Sequence, residues 1–381
     1  MALAHFVNIS YSSINQGLIW AIMVLGLYLS FRVLDFSDLT ADASLTMGAA
    51  ICAAHITAGG TPLMGMLLAT AGGALAGLST ALLHTQLRIP SLLSGILTQT
   101  ALYSINLRIM DSSFLALYKI DTLFSQFADY FQLASTLSQL ICATIIVTLL
   151  IVLLWWFLNT ELGMAVRATG NNQRMIRALG VNANSMIILC LMLSNAIIAL
   201  GGSAVSMHQG FADIQMGIGT IVVALAGIII GEELFGGRTL ISKLTGVVCG
   251  SVVYRFLIAM VLEINPNPND TRLVTAILVV FALSIPLIKK GIRTLRNTDG
   301  GEPQDAQPLP VMHAAPATAP ATSTQRQELL AAFENTLAVT DDAALSPEDR
   351  QQLTHFKQQF QEVRALLADE PGQPRQDDQK H

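Results

Sequence analysis

The sequence predicts an all-α, polytopic membrane protein with about nine transmembrane helices, one of them short or broken, and a partly disordered, partly helical C-terminal tail. Hydrophobic residues make up 52% of the 381 residues and charged residues only 12%, and the mean hydropathy is +0.54. Ordinary soluble domains do not have this composition. The apolar residues fall in long separate runs, and the sequence becomes polar and acidic after Arg296.

Nine apolar runs are candidate membrane spans. A backbone inside hydrocarbon must satisfy its own hydrogen bonds, so an apolar run of about 20 residues predicts a helix. The second run is short and follows a polar stretch, residues 35–42, so we expect it to be broken or only partly inserted. The nine candidates are residues 14–34, 43–58, 62–84, 90–109, 137–158, 186–207, 218–235, 240–262 and 271–289.

The distribution of Lys and Arg predicts the orientation of these spans. A cytoplasmic location for residues 159–185 gathers most of the loop Lys and Arg on the cytoplasmic side. Only Arg108, Lys119 and Arg272 then lie outside, and nine crossings put the N-terminus outside and the C-terminus inside. The N-terminus carries no basic residue before the first apolar run and no convincing cleavage site, so we expect the first span to be retained.

The chain divides into a membrane domain, a linker and a tail. Residues 1–296 form the membrane domain, with 15 Lys and Arg against 12 Asp and Glu, whereas residues 297–381 carry 6 against 14. Residues 297–325 are rich in Pro and Ala and are predicted to be an extended linker. Residues 326–381 are predicted to be a cytoplasmic helical tail. One tail helix starts at Ser346 and carries an apolar stripe that needs a partner, either residues 326–339 or another protein. The stripe consists of Leu353, Phe356, Phe360, Val363 and Leu367.

The sequence contains no catalytic constellation. No glycine-rich stretch has the spacing of a phosphate-binding loop or of a dinucleotide fingerprint. The seven histidines are scattered, without ligand spacing. We therefore predict a protein that is not an enzyme, cannot hydrolyse ATP alone, and needs no metal, cofactor or nucleic acid. Four isolated cysteines are interpreted as small apolar packing residues: Cys52, Cys142, Cys190 and Cys249.

Small residues spaced four apart predict close approach of helices. We expect close packing inside one subunit, with a seam between two subunits as the alternative. The residues concerned are Gly73, Gly77, Gly227, Gly231, Gly246 and Gly250.

Ionisable residues at membrane depth are costly and mark candidate functional positions. Asp42 starts the second candidate span, and Arg255 lies inside the eighth, where its long side chain could reach the outer interface or a loop carbonyl. Glu232 and Glu233 end the seventh and are expected to be solvated at the cytoplasmic boundary. Three polar residues are expected to bond between helices, with contact to a solute as the alternative: Gln99, Asn106 and Asn195.

The cytoplasmic loop has the features of a short helix lying along the membrane. Residues 170–172 predict a turn and N-cap, and Gly180 predicts the stop. A small apolar face is flanked by Arg174 and Arg177. A basic helix bound to the membrane surface is the alternative interpretation. The apolar face consists of Met175, Ile176 and Leu179.

Six motifs in consistent order resemble a known family. They lie at residues 163–180, 200–203, 210–219, 231–233, 254–255 and 267–276. With them, residues 14–296 resemble permeases of the ATP-binding-cassette (ABC) importer class related to branched-chain amino acid and ribose permeases. Within that class the chain most resembles tryptophan/tyrosine transport system permeases.

The resemblance implies a multi-pass permease of the bacterial inner membrane that imports an amino acid or related compound. The implied partners are ABC ATPase subunits, an extracytoplasmic solute-binding protein, a second permease subunit, which we expect to be identical, and membrane lipid. The loop would be the coupling helix that docks on the ATPase, with Arg174 and Arg177 beside the residues that mark it in the family: Gly163, Arg167, Ala168, Gly170, Asn172 and Gly180.

The resemblance also implies a broken helix near the translocation path at residues 36–48. Candidate residues of that path are Asp42, Ser44, Gln99, Asn195 and Asp213. Two other function classes remain open at this stage. One is an ion-coupled secondary transporter, although no convincing internal repeat is visible. The other is a membrane scaffold that recruits partners through its cytoplasmic tail.

Overall fold

The computed structural model describes residues 2–264, except residues 119, 133 and 238. The predicted span 271–289, the linker and the tail lie outside these residues. Eleven helices and two strands make up the described part. They are α1 (Ala2–Tyr28), α2 (Thr40–Thr57), α3 (Pro62–Thr85), α4 (Ser91–Met110), β1 (Phe114–Ala116), α5 (Leu123–Phe131), α6 (Ser135–Asn159), α7 (Glu161–Asn171), α8 (Gln173–Ala178), α9 (Ala183–Gln209), β2 (Phe211–Asp213), α10 (Thr220–Phe235) and α11 (Leu240–Ile264).

The protein is mostly helical, and helices lie at the first eight predicted positions. By length and composition, five of the described helical segments can cross a membrane: Ser10–Val33, Pro62–Thr85, Thr136–Asn159, Ala183–Gln209 and Leu240–Val261. The helices α2 and α10 have only 18 and 16 residues. At 1.5 Å per residue they are about 27 and 24 Å long, slightly less than a hydrocarbon core of about 30 Å.

The break predicted before the second span has a defined geometry. After Tyr28 the last turn of α1 widens into a π-helical turn, Leu29–Val33, and the backbone N–H of Leu34 donates to the Leu29 carbonyl over 3.0 Å. Residues 35–38 are irregular, and α2 begins at Thr40. This start is three residues before the predicted one, because Thr40, Ala41 and Asp42 are helical and buried rather than part of a loop.

The helix α9 packs against α1, α2 and α3. Gly73 and Gly77 of α3 face its backbone, where an added Cβ atom would meet the carbonyls of Asn195 and Leu191. No side chain larger than hydrogen fits there without moving a helix backbone. The two helices therefore approach closely along this line.

A second close contact joins α10 and α11. A Cβ atom at Gly231 would meet the Gly246 carbonyl, and one at Gly250 would meet the Gly227 carbonyl. Gly227 itself has more room, since its Cβ would lie 3.4 Å from the Cα of Ser251. In the structure, all six glycines singled out by their spacing thus face another helix of the same chain.

A short antiparallel ribbon departs from the all-α prediction. Strands β1 and β2 pair Leu115 with Ala212, and the rings of Phe114 and Phe211 stack with centroids 5.3 Å apart. The ribbon joins the segment after α4 to the segment after α9. Strands of three residues are too short to leave a periodic signal in the sequence.

The cysteines differ from the prediction at one position. Cys52, Cys142 and Cys190 are buried among apolar side chains, whereas Cys249 is exposed on α11. Cys249 follows Val248 on the helix and points away from the packed face that holds Val247 and Gly250. Within the described residues, no group of three His, Cys, Asp or Glu is placed to hold a metal ion.

Candidate functional site

A buried hydrogen-bond network surrounds the start of α2. The Asp38 carboxylate accepts from the backbone N–H of Thr40 over 2.9 Å and from Nδ2 of Asn195 over 2.7 Å. The Ser44 hydroxyl donates to Oδ1 of Asn195 over 2.7 Å, and the hydroxyls of Thr40 and Thr80 are 2.7 Å apart. Asp38 therefore caps α2 and fixes it to the middle of α9, because Asn195 is near the centre of that helix.

A second carboxylate, Asp42, joins α2 to the first turn of α10. Its Oδ2 accepts from the backbone N–H of Gly219 over 2.9 Å. Its Oδ1 accepts from the Thr220 hydroxyl over 2.9 Å and from the backbone N–H of Ile221 over 3.0 Å. The first turn of a helix has free N–H groups and a partial positive charge, which a carboxylate stabilises. Asp42 supplies from another helix the cap that α10 lacks locally, since Gly219 has no side chain.

Asp42 also lines a cavity of about 390 Å³ between α2, α4 and the turn before α10. The helix α4 contributes Thr100, Tyr103 and Ser104, which are exposed. The cavity combines polar side chains with an apolar wall. Its lining residues are Asp42, Ala43, Thr46, Gln99, Thr100, Tyr103, Ser104, Asn106, Ile214 and Ile218.

The five residues predicted for a translocation path occupy three different places. Asp42 and Gln99 line the cavity. Ser44 and Asn195 are fully buried behind it, in the network around Asp38. Asp213 lies on β2, where its carboxylate accepts from the backbone N–H of Gln215 over 2.6 Å.

Sequence reasoning missed three residues of this site. Asp38 lies in the polar stretch before α2, and only that stretch's unusual position between two apolar runs pointed to it. Thr220 and Tyr103 are ordinary polar residues in apolar runs and left no signal. Their roles follow from tertiary contacts, since Thr220 and Asp42 are 178 residues apart.

The Asn106 side chain is fixed beside Asp42 and retains an unused acceptor. Its Nδ2 donates to the backbone carbonyl of Ala43 over 3.2 Å. Only the NH₂ group can donate, so this contact assigns the orientation of the amide. The Oδ1 atom is buried and has no hydrogen-bond partner within the described part of the chain.

The remaining ionisable residues of the apolar runs pack against neighbours. The Arg255 guanidinium lies over the Trp20 ring, with its Cζ 3.9 Å from the ring centroid. Glu232 accepts from Nε of Arg32 over 2.8 Å, which ties the π-helical turn to the end of α10. Arg255 thus packs on an aromatic ring. The sequence had suggested instead that its side chain reaches the outer interface or a loop carbonyl.

The predicted coupling loop forms two helices instead of one. The Thr160 side chain caps α7, accepting from the Gly163 N–H over 3.3 Å. Gly170 and Asn171 remain helical, and the turn falls at Asn172, whose Oδ1 accepts from the backbone N–H groups of Arg174 and Met175 in α8, both at 3.0 Å. The predicted three-residue turn is therefore a single residue. Gly180 has φ +83°, in the left-handed region that ends helices.

The helix α7 packs on the π-helical turn of α1. An added Cβ atom at Gly170 would meet the Val33 carbonyl, and one at Gly163 would meet the Phe157 carbonyl. Ala168 is half-buried, whereas Arg167 is exposed. Glycine at 170 thus brings the loop into contact with the backbone that leads to the α2 network.

The outer surface of α8 combines basic and apolar side chains. Arg174 and Arg177 are exposed, as are Met175 at 48% and Leu179 at 70%. Ile176, expected on the same apolar face, is buried against the rest of the chain. The exposed surface could therefore bury both apolar and charged groups against a partner.

Comparison with known proteins gives a family match and several related sequences. The family described as "Branched-chain amino acid transport system / permease component" matches residues 9–283. A tyrosine transport system permease protein of Clostridioides difficile (strain R20291) is 41% identical over 273 residues, covering 72% of this chain and 90% of that one. No solved structure gives a significant match.

More distant relatives include an uncharacterized protein and a sugar import permease. An uncharacterized protein of Rickettsia prowazekii (strain Madrid E) is 31% identical over 281 residues, covering 73% of this chain and 97% of that one. The galactose/methyl galactoside import permease protein of Escherichia coli (strain K12) is 25% identical over 228 residues, covering 59% and 66%.

Proposed function

This chain belongs to the family of permease components of branched-chain amino acid transport systems, and from that premise we propose that it imports an amino acid or a closely related amine. It is the membrane permease subunit of an ABC importer in the bacterial inner membrane, and it is not an enzyme. Such a permease works with ATPase subunits, which hydrolyse ATP, and with an extracytoplasmic binding protein, which delivers the solute.

The observation that carries the proposed substrate class is the acidic cavity at Asp42. A cavity of about 390 Å³ is within the range of roughly 300–1,000 Å³ typical of small-molecule sites. Its one ionisable carboxylate favours a solute with a positive group, and its apolar wall favours a hydrophobic side chain. The 41% identity to a tyrosine transport system permease points to the same class.

We assign the docking of the ATPase to α7 and α8. Support comes from the exposed Arg174 and Arg177 beside exposed apolar side chains. The contact of Gly170 with the π-helical turn gives a docking event a direct route to the start of α2. A movement of α7 would push on Val33 and, through residues 34–38, on the Asp38 network.

We further propose nine spans, with the N-terminus outside and residues 297–381 in the cytoplasm. Support comes from the antiparallel packing of α3 on α9, in which Gly73 faces Asn195 and Gly77 faces Leu191. Starting from cytoplasmic α7 and α8, the order of the helices then puts β1, β2 and α5 outside. The helices α2, α4 and α10 would complete the bundle together with residues 271–289.

The second permease subunit is proposed to be another copy of this chain, covering α4. Thr100, Tyr103 and Ser104 are exposed on that helix and open the cavity to the surface. Polar groups facing hydrocarbon are costly, whereas a second copy would enclose them together with the cavity. A cysteine at Thr100 should then cross-link between copies in membranes.

Uptake into proteoliposomes tests the proposed function. The chain, its genomically neighbouring ATPase and the binding protein are reconstituted, and radiolabelled L-tyrosine and D-galactose are supplied outside with ATP inside. We expect ATP-dependent accumulation of L-tyrosine only. Uptake driven by an ion gradient without ATP would indicate a secondary transporter, and ATP-dependent uptake of galactose alone would overturn the substrate class.

A further inference from the structure

The cavity at Asp42 offers hydrogen-bond acceptors and one negative charge. Among the described residues that line it there is no Lys, Arg or His to balance that charge. Asp42 receives three hydrogen bonds, all from neutral donors: two backbone N–H groups and one hydroxyl. A carboxylate has about four acceptor sites. The arrangement therefore leaves acceptor capacity and a charge for which the described residues provide no counter-ion.

A second acceptor lies close to this carboxylate. The Nδ2 of Asn106 donates a hydrogen bond to the carbonyl of Ala43, the residue that follows Asp42. The Oδ1 of the same amide is buried and has no partner within residues 2–264 as described. An unused buried acceptor is unfavourable, so a hydrogen-bond donor that enters the cavity here is stabilised by this atom.

We propose that this cavity is a binding site for the ammonium group of the transported solute, with Asp42 and Oδ1 of Asn106 as its acceptors. An ammonium group carries three N–H donors and a positive charge and satisfies both acceptors together. A neutral hydroxyl offers one donor and no charge. A carboxylate offers no donor, and its negative charge is repelled by Asp42.

The rest of the lining fits the body of the solute. Tyr103, Ile214 and Ile218 form the apolar part of the wall, which suits an aromatic or aliphatic side chain. The site is also connected to the mechanism proposed above, because Asp42 caps the first turn of α10 and lines the cavity. The inference deepens the proposed function and rests on it.

Thiol protection tests the site directly on the full-length chain in lipid nanodiscs. Ser104 lines the cavity, so Ser104→Cys is introduced together with Cys249→Ala, which removes the exposed native thiol. Tyramine and tyrosol are the probes, because they differ only in an ammonium group against a hydroxyl. We expect tyramine to slow maleimide labelling, and tyrosol at the same concentration to leave the rate unchanged. Equal protection by the two probes would overturn the proposal.

A substitution then identifies the acceptor. Asn106→Leu is expected to raise the tyramine concentration for half-protection about tenfold, as for the loss of one hydrogen bond to a charged group. The matched control is Asn159→Leu, because the Asn159 amide also donates to a carbonyl, that of Trp155, but lies outside the cavity. An unchanged concentration in a folded Asn106→Leu protein would remove Asn106 from the site. If that variant does not fold, the two probes on the Ser104→Cys protein still decide the proposal.

Failure of the proposed site and failure of the proposed function give different combinations of results in the thiol-protection and uptake experiments. ATP-dependent tyrosine uptake without selective protection by tyramine would leave the proposed function standing and reject this site. Selective protection without ATP-dependent uptake of any amino acid would support the site and reject the proposed function.

Discussion

The Asp42 carboxylate accepts a hydrogen bond from the backbone N–H of Ile221, 3.0 Å away, and so α2 caps α10 from across the protein. Most helix caps come from the residue that precedes the helix. Here that residue is Gly219, which has φ +80° and no side chain. The start of α10 is therefore tied to the position of α2, and any movement of α2 changes the first turn of α10.

Removing this cap should destabilise the protein measurably. We expect Asp42→Ala to lower the stability by about 1–2 kcal/mol, because three donors at the start of α10 lose their acceptor. Asp42→Asn should lose less, since its Oδ1 can still accept. Thermal unfolding in detergent measures both, with the exposed Asp121→Asn as control. Equal melting temperatures of Asp42→Ala and the control would contradict the role of the cap.

The sequence predicted the helices better than the site. Apolar runs fix the positions of long helices to within a few residues, as at α3 and α9, because only length and composition matter for them. Asp42 was identified because an ionisable residue in an apolar run is conspicuous. Asp38 was not, because its role depends on Asn195, 157 residues away. No local pattern reports such a pairing.

The helix contacts predict different outcomes for two glycines of similar spacing, Gly77 where α3 meets α9 and Gly227 where α10 meets α11. Gly77→Ala should lower the stability by about 1–3 kcal/mol, because its Cβ would collide with the Leu191 carbonyl. Gly227→Ala should be tolerated, because its nearest contact is an ordinary 3.4 Å. Thermal unfolding and the yield of monodisperse protein compare the two. The packing argument fails if Gly227→Ala is the more damaging substitution.

Accessibility of single cysteines tests the proposed topology. Gln126 is exposed on α5, and the topology puts it outside the cell, whereas Gln307 of the linker is expected in the cytoplasm. In a chain without Cys249, Gln126→Cys should react with an impermeant thiol reagent in intact cells, and Gln307→Cys only after lysis. Labelling of Gln307→Cys but not of Gln126→Cys would overturn the topology.

The tail is expected to be dispensable for transport. Residues 297–325 are rich in Pro and Ala, and the family match ends at residue 283. A chain ending at Thr298 should therefore assemble with the ATPase and import the solute at the rate of the full-length chain, while a regulatory contact made by the tail is lost. Affinity purification and uptake measure the two properties. Loss of assembly would instead make the tail a structural part of the importer.

If the ATPase docks on α7 and α8, the exposed basic side chains of α8 should contribute to the contact. Arg174 and Arg177 are exposed and have no acidic partner within the described part of the chain. Reversing both charges, with Arg174→Glu and Arg177→Glu, should weaken the contact with the ATPase without unfolding the spans. Charged pairs contribute a few kcal/mol in a desolvated interface and little in an exposed one, so the size of the loss depends on how far the contact excludes water.

A substitution at Gly170 should act through the permease itself. The Cβ of Gly170→Trp would meet the Val33 carbonyl and push α7 away from the π-helical turn. Both variants are expected to reach the membrane in normal amount, to co-purify with less ATPase, and to lose ATP hydrolysis stimulated by the loaded binding protein. Arg88→Glu is the matched charge control, because Arg88 is exposed in the loop before α4, on the same side by the proposed topology. Normal ATPase binding and transport by both variants would exclude α7 and α8 from coupling, because the charged surface and the contact with α1 would each have been removed without effect.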